Sequence, residues 1–386
     1  MGIFTEYLDA GLSFEQLTAE RKKQLRRISQ LRGGRDVLVL AADLTKDNAP
    51  LAIGYADLLP ISDQLSNLSG SAIDVLLETP GGSGEVAEDI VRLLHEKYQE
   101  VGVIIPGCAK SAGTIIAMAA DEILMEPVSA LGPIDAQIRW QGKVFSADAL
   151  IEGMEKIKKE VEQTGTLNRA YIPILQGISP GELQSAENAL AFAKDLVTDW
   201  LARYKFKAWT QHASTGLPVT EDDKKQRAKE VAETLCNHRR WKTHGRSIKI
   251  PDLEAMRLRI TDYSKQPDLA EAIRRYFTLL QMALSTNIYK VFETPDSQIY
   301  RFLSPPTPPP QPVPPQPDVA VLDVACGRCK AVTRVQVNLG APQPLQAGCV
   351  AFPANNRLPC PGCGAAMDLA DARRQLEAQS KRPVVT

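Results

Sequence analysis

No stretch of the chain approaches the roughly 18 uninterrupted apolar residues of a membrane span, so a spanning helix is not expected. The opening residues, MGIFTEYLDAGLSFEQ, lack a basic segment followed by an apolar one, and no secretory signal is expected either. Glu6 stands where a myristoylation signal after Met-Gly requires Ser or Thr. Charge of one sign is missing as well. A net charge of −1 gives the whole chain no bulk field for nucleic acid. The one basic run, Arg21 to Arg27 (RKKQLRR), reads as the solvated face of an N-terminal helix. Histidine is scarce: only His95, His212, His238 and His244 are present, so few positions offer an imidazole base.

Cysteine is present in a pattern that argues against a disulfide framework. Four of the seven form two CxxC pairs near the C-terminus, while Cys108, Cys236 and Cys349 stand alone. A metal site in a reducing compartment accounts for that distribution, and a cytoplasmic protein is expected.

The chain has 386 residues, enough for one large domain and a smaller one. Apolar runs of strand length occur at Asp36 to Ala42, Ala72 to Glu78, Val101 to Ile105 and Glu122 to Met125, with helical spacing between them. Such alternation predicts βαβ units and a mostly parallel α/β sheet. From 147 to about 290 the pattern is mainly helical. Residues 304–317 (SPPTPPPQPVPPQP) read as an extended linker. The expected organisation is a hydrolase domain over 1–290, a linker over 291–320, a zinc segment over 321–370 and a tail over 371–386.

Two turns follow consecutive strands. Thr79-Pro80-Gly81-Gly82 can bring bare backbone against a ligand. Lys110-Ser111-Ala112-Gly113-Thr114 opens an apolar helix. There Ser111 has a structural reading, as an N-cap, and a chemical one, as a nucleophile with small neighbours beside a helix N-terminus that favours an oxyanion. In parallel sheets both turns lie at the carboxyl ends of strands, where sites form.

Taken together, LLETPGGSGEVAEDIV, IIPGCAKSAGTIIAMAADEILM and SALGPIDAQ resemble the Clp-protease/crotonase superfamily. Within it the chain is most similar to the serine dehydrogenase proteinases, kin of signal peptide peptidase. The resemblance spans roughly residues 20–262 and includes HRRWKTHGRSI and DLEAMRLRI. It implies a Clp/crotonase-type fold and a serine peptidase acting on peptide or protein. It also implies Ser111 as nucleophile, the N–H groups of Gly82 and Ala112 as oxyanion hole, and a homo-oligomer.

The family pattern breaks at the base. Asp135, in Gly132-Pro133-Ile134-Asp135, occupies the region where Clp-type proteases carry a histidine. Signal-peptide-peptidase relatives use a lysine further along, where Lys156, Lys158 and Lys159 fall on a helix that Ser146 would cap. At about 100° per residue Lys158 sits at the edge of that helix's apolar stripe, and only a desolvated lysine becomes a neutral base. Its structural reading is a snorkelling surface residue. The second candidate is His244, with Asp135 as its orienter. Both stay open on the sequence; His95, His212 and His238 are not favoured.

Cys326-Gly-Arg-Cys329 and Cys360-Pro-Gly-Cys363 are two knuckles whose four thiolates would complete a tetrahedral structural zinc site. Cys349 is a substitute ligand without a knuckle. Such a ribbon binds protein or nucleic acid, and the sequence does not say which. Two other functions share these features: a catalytically inactive Clp-fold scaffold recruiting partners through the ribbon, and a crotonase-like acyl-CoA enzyme.

Overall fold

The four apolar runs form the centre of one sheet in the computed structural model. It describes residues 2–134, 136–140, 143–303 and 318–386, with only the backbone of 138–140 and 143–145. We number the strands of this sheet β1 (Asp36–Ala42), β2 (Ala72–Glu78), β3 (Glu100–Ile105), β4 (Glu122–Met125), β5 (Thr261–Asp262), β6 (Ile288–Glu293) and β7 (Gln298–Phe302). Their order is β7-β6-β1-β2-β3-β4-β5. Neighbours from β1 to β5 pair parallel, and β6 and β7 add an antiparallel edge.

The runs are apolar throughout because both faces are covered. Alternate residues go to opposite cores. Leu38, Leu40, Val75, Leu77, Val103 and Ile105 face the helices Leu58–Ser66, Gly84–Lys97 and Ala112–Met118. Val37, Val39, Leu76, Ile104 and Leu124 face Phe14–Leu31 and Pro267–Leu284. The helix Phe14–Leu31 carries the basic run. Arg21 is fully buried against Glu293 at 3.1 Å, and Arg26 and Arg27 pair with Asp296 and Glu271, each at 2.8 Å. The run therefore docks its helix through specific acidic partners; for Arg21 the solvated-face reading is corrected. No described helix is long and apolar enough to cross a membrane.

Contacts divide the chain into Met1–Ser304 and Pro305–Thr386. The first unit thus runs past residue 290, where the sequence reading ended it, because β6 pairs with β1 and β7 with β6. No helix-to-strand switch at 288 is apparent from periodicity alone, since β6 is buried almost end to end. The proline-rich stretch 304–317 lies outside the described residues.

In the second unit Val319–Ala325 pairs antiparallel with Val332–Leu339, which also pairs with Val350–Ala351 and Val384–Val385. Arg357–Pro359 and Ala366–Asp368 form a second hairpin. Residues 371–386, expected to be a tail, belong to this unit: a helix covers Ala370–Ser380, and Val384 is buried with Val335, Val337 and Phe352.

Candidate active site

The turns after β2 and β3 are stitched together beyond the sheet. Thr79 N–H donates to the Cys108 carbonyl at 3.0 Å, and Lys110 N–H donates to the Thr79 carbonyl at 3.0 Å. Gly81 and Gly82 have φ of 104° and 151°. A Cβ on Gly81 would lie 2.7 Å from the Ser111 Cβ, and one on Gly82 would overlap the Ile53 backbone. Glycine is therefore required at both positions, by backbone conformation and by close approach. Ile53 N–H donates to the Gly81 carbonyl at 2.7 Å, and Ser83 N–H donates to the Ile53 carbonyl at 3.0 Å.

Ser111 adopts φ 49° and ψ −112°. A side-chain-bearing residue in that region stores on the order of 1–3 kcal/mol. Ser111 stands at the N-cap position of the helix Ala112–Met118, but its hydroxyl makes no capping bond, so the structural reading of the serine is not met. Gly113 N–H donates instead to the Lys110 carbonyl at 2.8 Å, and Ile115 N–H to the Ser111 carbonyl at 3.1 Å. Within the described residues no hydrogen bond takes up the N–H of Gly82 or of Ala112.

A cavity of about 370 Å³ opens in front of these groups. Pro80 to Glu85, Ser111 and Ala112 form its floor; Ile115, Ile134, Ala189 and Phe192 give it apolar walls; and His244 reaches it from the chain's later half. The His244 turn is held by a two-way backbone bridge between Leu131 and Ile248, at 3.0 and 2.9 Å. The 130–134 segment is in turn pinned to the helix Ala112–Met118, because Thr114 Oγ1 donates to the Gly132 carbonyl at 2.8 Å and accepts from Gly132 N–H at 3.0 Å. Ser111 and His244 thus face one cavity, with no hydrogen bond between the two side chains.

Residues 3–173 match the family described as ClpP-like SDH-type serine proteinase. This stretch of the chain belongs to that family. One relative is an uncharacterized protein of Methanocaldococcus jannaschii, 25% identical over 225 residues that cover 56% of this chain and 74% of that protein. A second uncharacterized protein of the same organism is 39% identical over 88 residues, covering 23% of this chain and 30% of its own length. Among solved structures, a mutant of the 1510-N membrane-bound stomatin-specific protease is similar at 16% identity and a TM-score of 0.30, over 56% of this chain and 79% of that one. Another mutant of it, in complex with a substrate peptide, is similar at 17% identity and a TM-score of 0.28, over 53% and 66%.

In the first unit the two base candidates fare differently. Lys158 lies on the helix Ala147–Thr164, which Ser146 caps through Ala149 N–H as expected. Its side chain is 64% exposed, 3.8 Å from Glu155, and it does not line the cavity. The half-buried apolar stripe of that helix passes beside it without covering the amine, so the desolvation a lysine base needs is absent. Asp135 lies outside the described residues. His95 stacks on Tyr204 at 3.5 Å and bonds the Ala119 carbonyl, and burial lowers its basicity, a packing role. His212 pairs with Asp223 at 3.5 Å. His238 begins the short helix His238–Trp241.

Two residues at the turns around Ser111 escaped the sequence reading. Lys110 is treated below. Glu78, at the end of β2, is buried and accepts the N–H of Cys108 at 2.8 Å. Burial pushes its carboxyl up to about 7 against the pull of the Cys108 and Gly107 N–H groups, and burial with the Glu78 charge pushes the Cys108 thiol up to about 11. The only signal for Glu78 in the sequence was an acid closing an otherwise apolar strand. A carboxyl moved from 4.5 to about 7 costs the folded state about 3 kcal/mol at pH 8, a cost that vanishes below the unfolded value. Glu78→Gln is therefore expected to melt higher than wild type at pH 8, with the gain shrinking through pH 7 and disappearing near pH 4.5. Melting curves across that range check it; an equal gain at pH 4.5 would exclude the titration of Glu78 as its cause.

In the second unit the sulfurs of Cys326, Cys329, Cys360 and Cys363 lie within 4.8 Å of one another. Cys326 Sγ is 3.7 Å from Cys363 Sγ, and Cys329 Sγ is 3.5 Å from Cys360 Sγ. A tetrahedral ion with bonds of about 2.3 Å sets its thiolates about 3.8 Å apart, so the cluster fits a metal. The knuckles repeat one geometry. Lys330 N–H donates to the Cys326 carbonyl and Gly364 N–H to the Cys360 carbonyl, both at 2.9 Å, with φ of 63° and 68°. Cys349 is not part of the cluster.

Proposed function

We propose that the chain is a serine peptidase that hydrolyses peptide or protein substrates through an acyl-enzyme on Ser111. The Ser111 hydroxyl attacks the scissile carbonyl, and the N–H groups of Gly82 and Ala112 stabilise the oxyanion. His244 takes the serine proton and returns it to the leaving amine, with Asp135 as its orienter. A zinc ion held by Cys326, Cys329, Cys360 and Cys363 has a structural role in the second unit, which serves to bind protein or nucleic acid. A cytoplasmic homo-oligomer is the setting that the thiols and the family resemblance favour.

The observation that carries the reading is Ser111 itself. Its backbone is held where a side chain is disfavoured, and its hydroxyl leaves the helix uncapped to face a cavity beside two N–H groups that have no partner among the described residues. A purely structural serine would be expected to cap. Neither an acyl-CoA enzyme of the same fold nor an inactive scaffold needs a hydroxyl there. A fluorophosphonate probe tests the reading: wild type is expected to label at Ser111, and Ser111→Ala to lose the label. Wild-type protein that stays unlabelled while folded would remove the nucleophile assignment.

A further inference from the structure

Lys110 precedes the nucleophile, yet its side chain runs away from the serine. Its stem crosses Gly132, where a Cβ would sit 2.7 Å from the Lys110 Cδ. Its ammonium ends among four acceptors: the carbonyls of Leu131 at 3.3 Å, Gly245 at 3.5 Å and Arg246 at 3.2 Å, and the Ser247 hydroxyl at 3.2 Å. Three of these belong to the turn immediately after His244. An ammonium carries three protons and no acceptor, so it binds such a cluster of oxygens as a point charge with adaptable geometry. No described acidic side chain forms an ion pair with it.

We infer that Lys110 is a positioning residue, tying the turn that carries His244 to the turn that carries Ser111, so that imidazole and hydroxyl meet across the cavity. This rests on the reading of His244 as base. Ser111 is fixed by the β3-to-helix turn, whereas His244 arrives from a segment far along the chain, held by the Leu131–Ile248 bridge. That bridge fixes residue 248, four residues after His244, and within the turn Arg246 N–H donates to the Thr243 carbonyl at 3.1 Å and Gly245 N–H to the Thr243 hydroxyl at 3.3 Å. Lys110 adds the bonds that reach 245–247 from the Ser111 turn, charge-assisted and therefore stronger than neutral ones. A misplacement of about 1 Å between reacting groups can cost on the order of a hundredfold in rate. Gly132 is explained by the same arrangement, since only a residue without a side chain lets the Lys110 stem pass.

The test is a double-mutant cycle on the full chain, with folding followed by melting curves. Lys110→Met is expected to lower kcat at least tenfold with KM within twofold, because substrate contacts are intact while the base is loosened. Combined with His244→Ala it is expected to add nothing to the loss from His244→Ala alone. Should Lys110→Met fail to fold, Ser247→Ala serves instead, removing one bond to the ammonium without stranding a charge, with kcat expected to fall about threefold at unchanged KM. Unchanged kcat in whichever variant folds, or a loss that multiplies with that of His244→Ala, would overturn the inference while leaving the base reading in place. A near-wild-type rate in His244→Ala would overturn both.

Discussion

Ser111→Ala is expected to reduce peptide or ester hydrolysis by at least about 10³-fold, towards the roughly 10⁶-fold loss seen when a serine nucleophile is removed from an intact triad. The fold should be retained, because the hydroxyl makes no capping bond. A second variant at the same position separates chemistry from strain. Ser111→Gly also removes the hydroxyl, but glycine accepts φ 49° and ψ −112° without the cost that a Cβ brings. Part of that relief is offset by the greater freedom of glycine in the unfolded chain, worth about 0.5–1 kcal/mol. Ser111→Gly should therefore be equally inactive and about 1 kcal/mol more stable than Ser111→Ala. A glycine variant less stable than Ser111→Ala by the full offset of about 0.5–1 kcal/mol would show that the turn holds no strain at residue 111. In the same assay Lys158→Met is expected to stay within twofold of wild type; a loss close to that of Ser111→Ala would move the base to Lys158.

Removing the metal should have the largest effect on the second unit. Its apolar core is small, centred on Val335, Val337, Leu339, Phe352, Leu369 and Val384. Cys326 and Cys360 are themselves buried with Met367. Without the proposed zinc, the four closely packed thiols would lose the ion that would organise both knuckles, and structural zinc in small domains contributes on the order of 10 kcal/mol. The full chain is expected to contain one zinc, measured by elemental analysis. Chelation, or Cys326→Ser, should abolish the transition of the second unit and leave hydrolysis by the first as the control. A metal-free protein with both transitions intact would count against the four-cysteine site.

Much of this was legible in the sequence, for identifiable reasons. The strands β1 to β4 could be read because strands buried on both faces must be apolar throughout, and their turns because only glycine tolerates what Gly81 and Gly82 do. The four cysteines announced themselves because a knuckle needs its ligands at fixed local spacing. Each of these is a short-range constraint, written within a few consecutive residues.

What the tertiary structure alone decided depends on residues brought together from afar. Whether Ser111 caps its helix could not be read from KSAGT; the zipping of that turn against Thr79 sets its dihedrals and turns the hydroxyl to the cavity. Helical periodicity placed Lys158 at the edge of an apolar stripe, but how much of a stripe is covered depends on what packs there, and the amine is left in solvent. Arg21 looked like one more charge in a basic run until Glu293, at the far end of the first unit, buried it. His244 reaches the Ser111 cavity, and Lys110 the 245–247 turn, only through the fold. Local sequence specifies backbone conformation and apolar period; desolvation and charge pairing are properties of the packed chain.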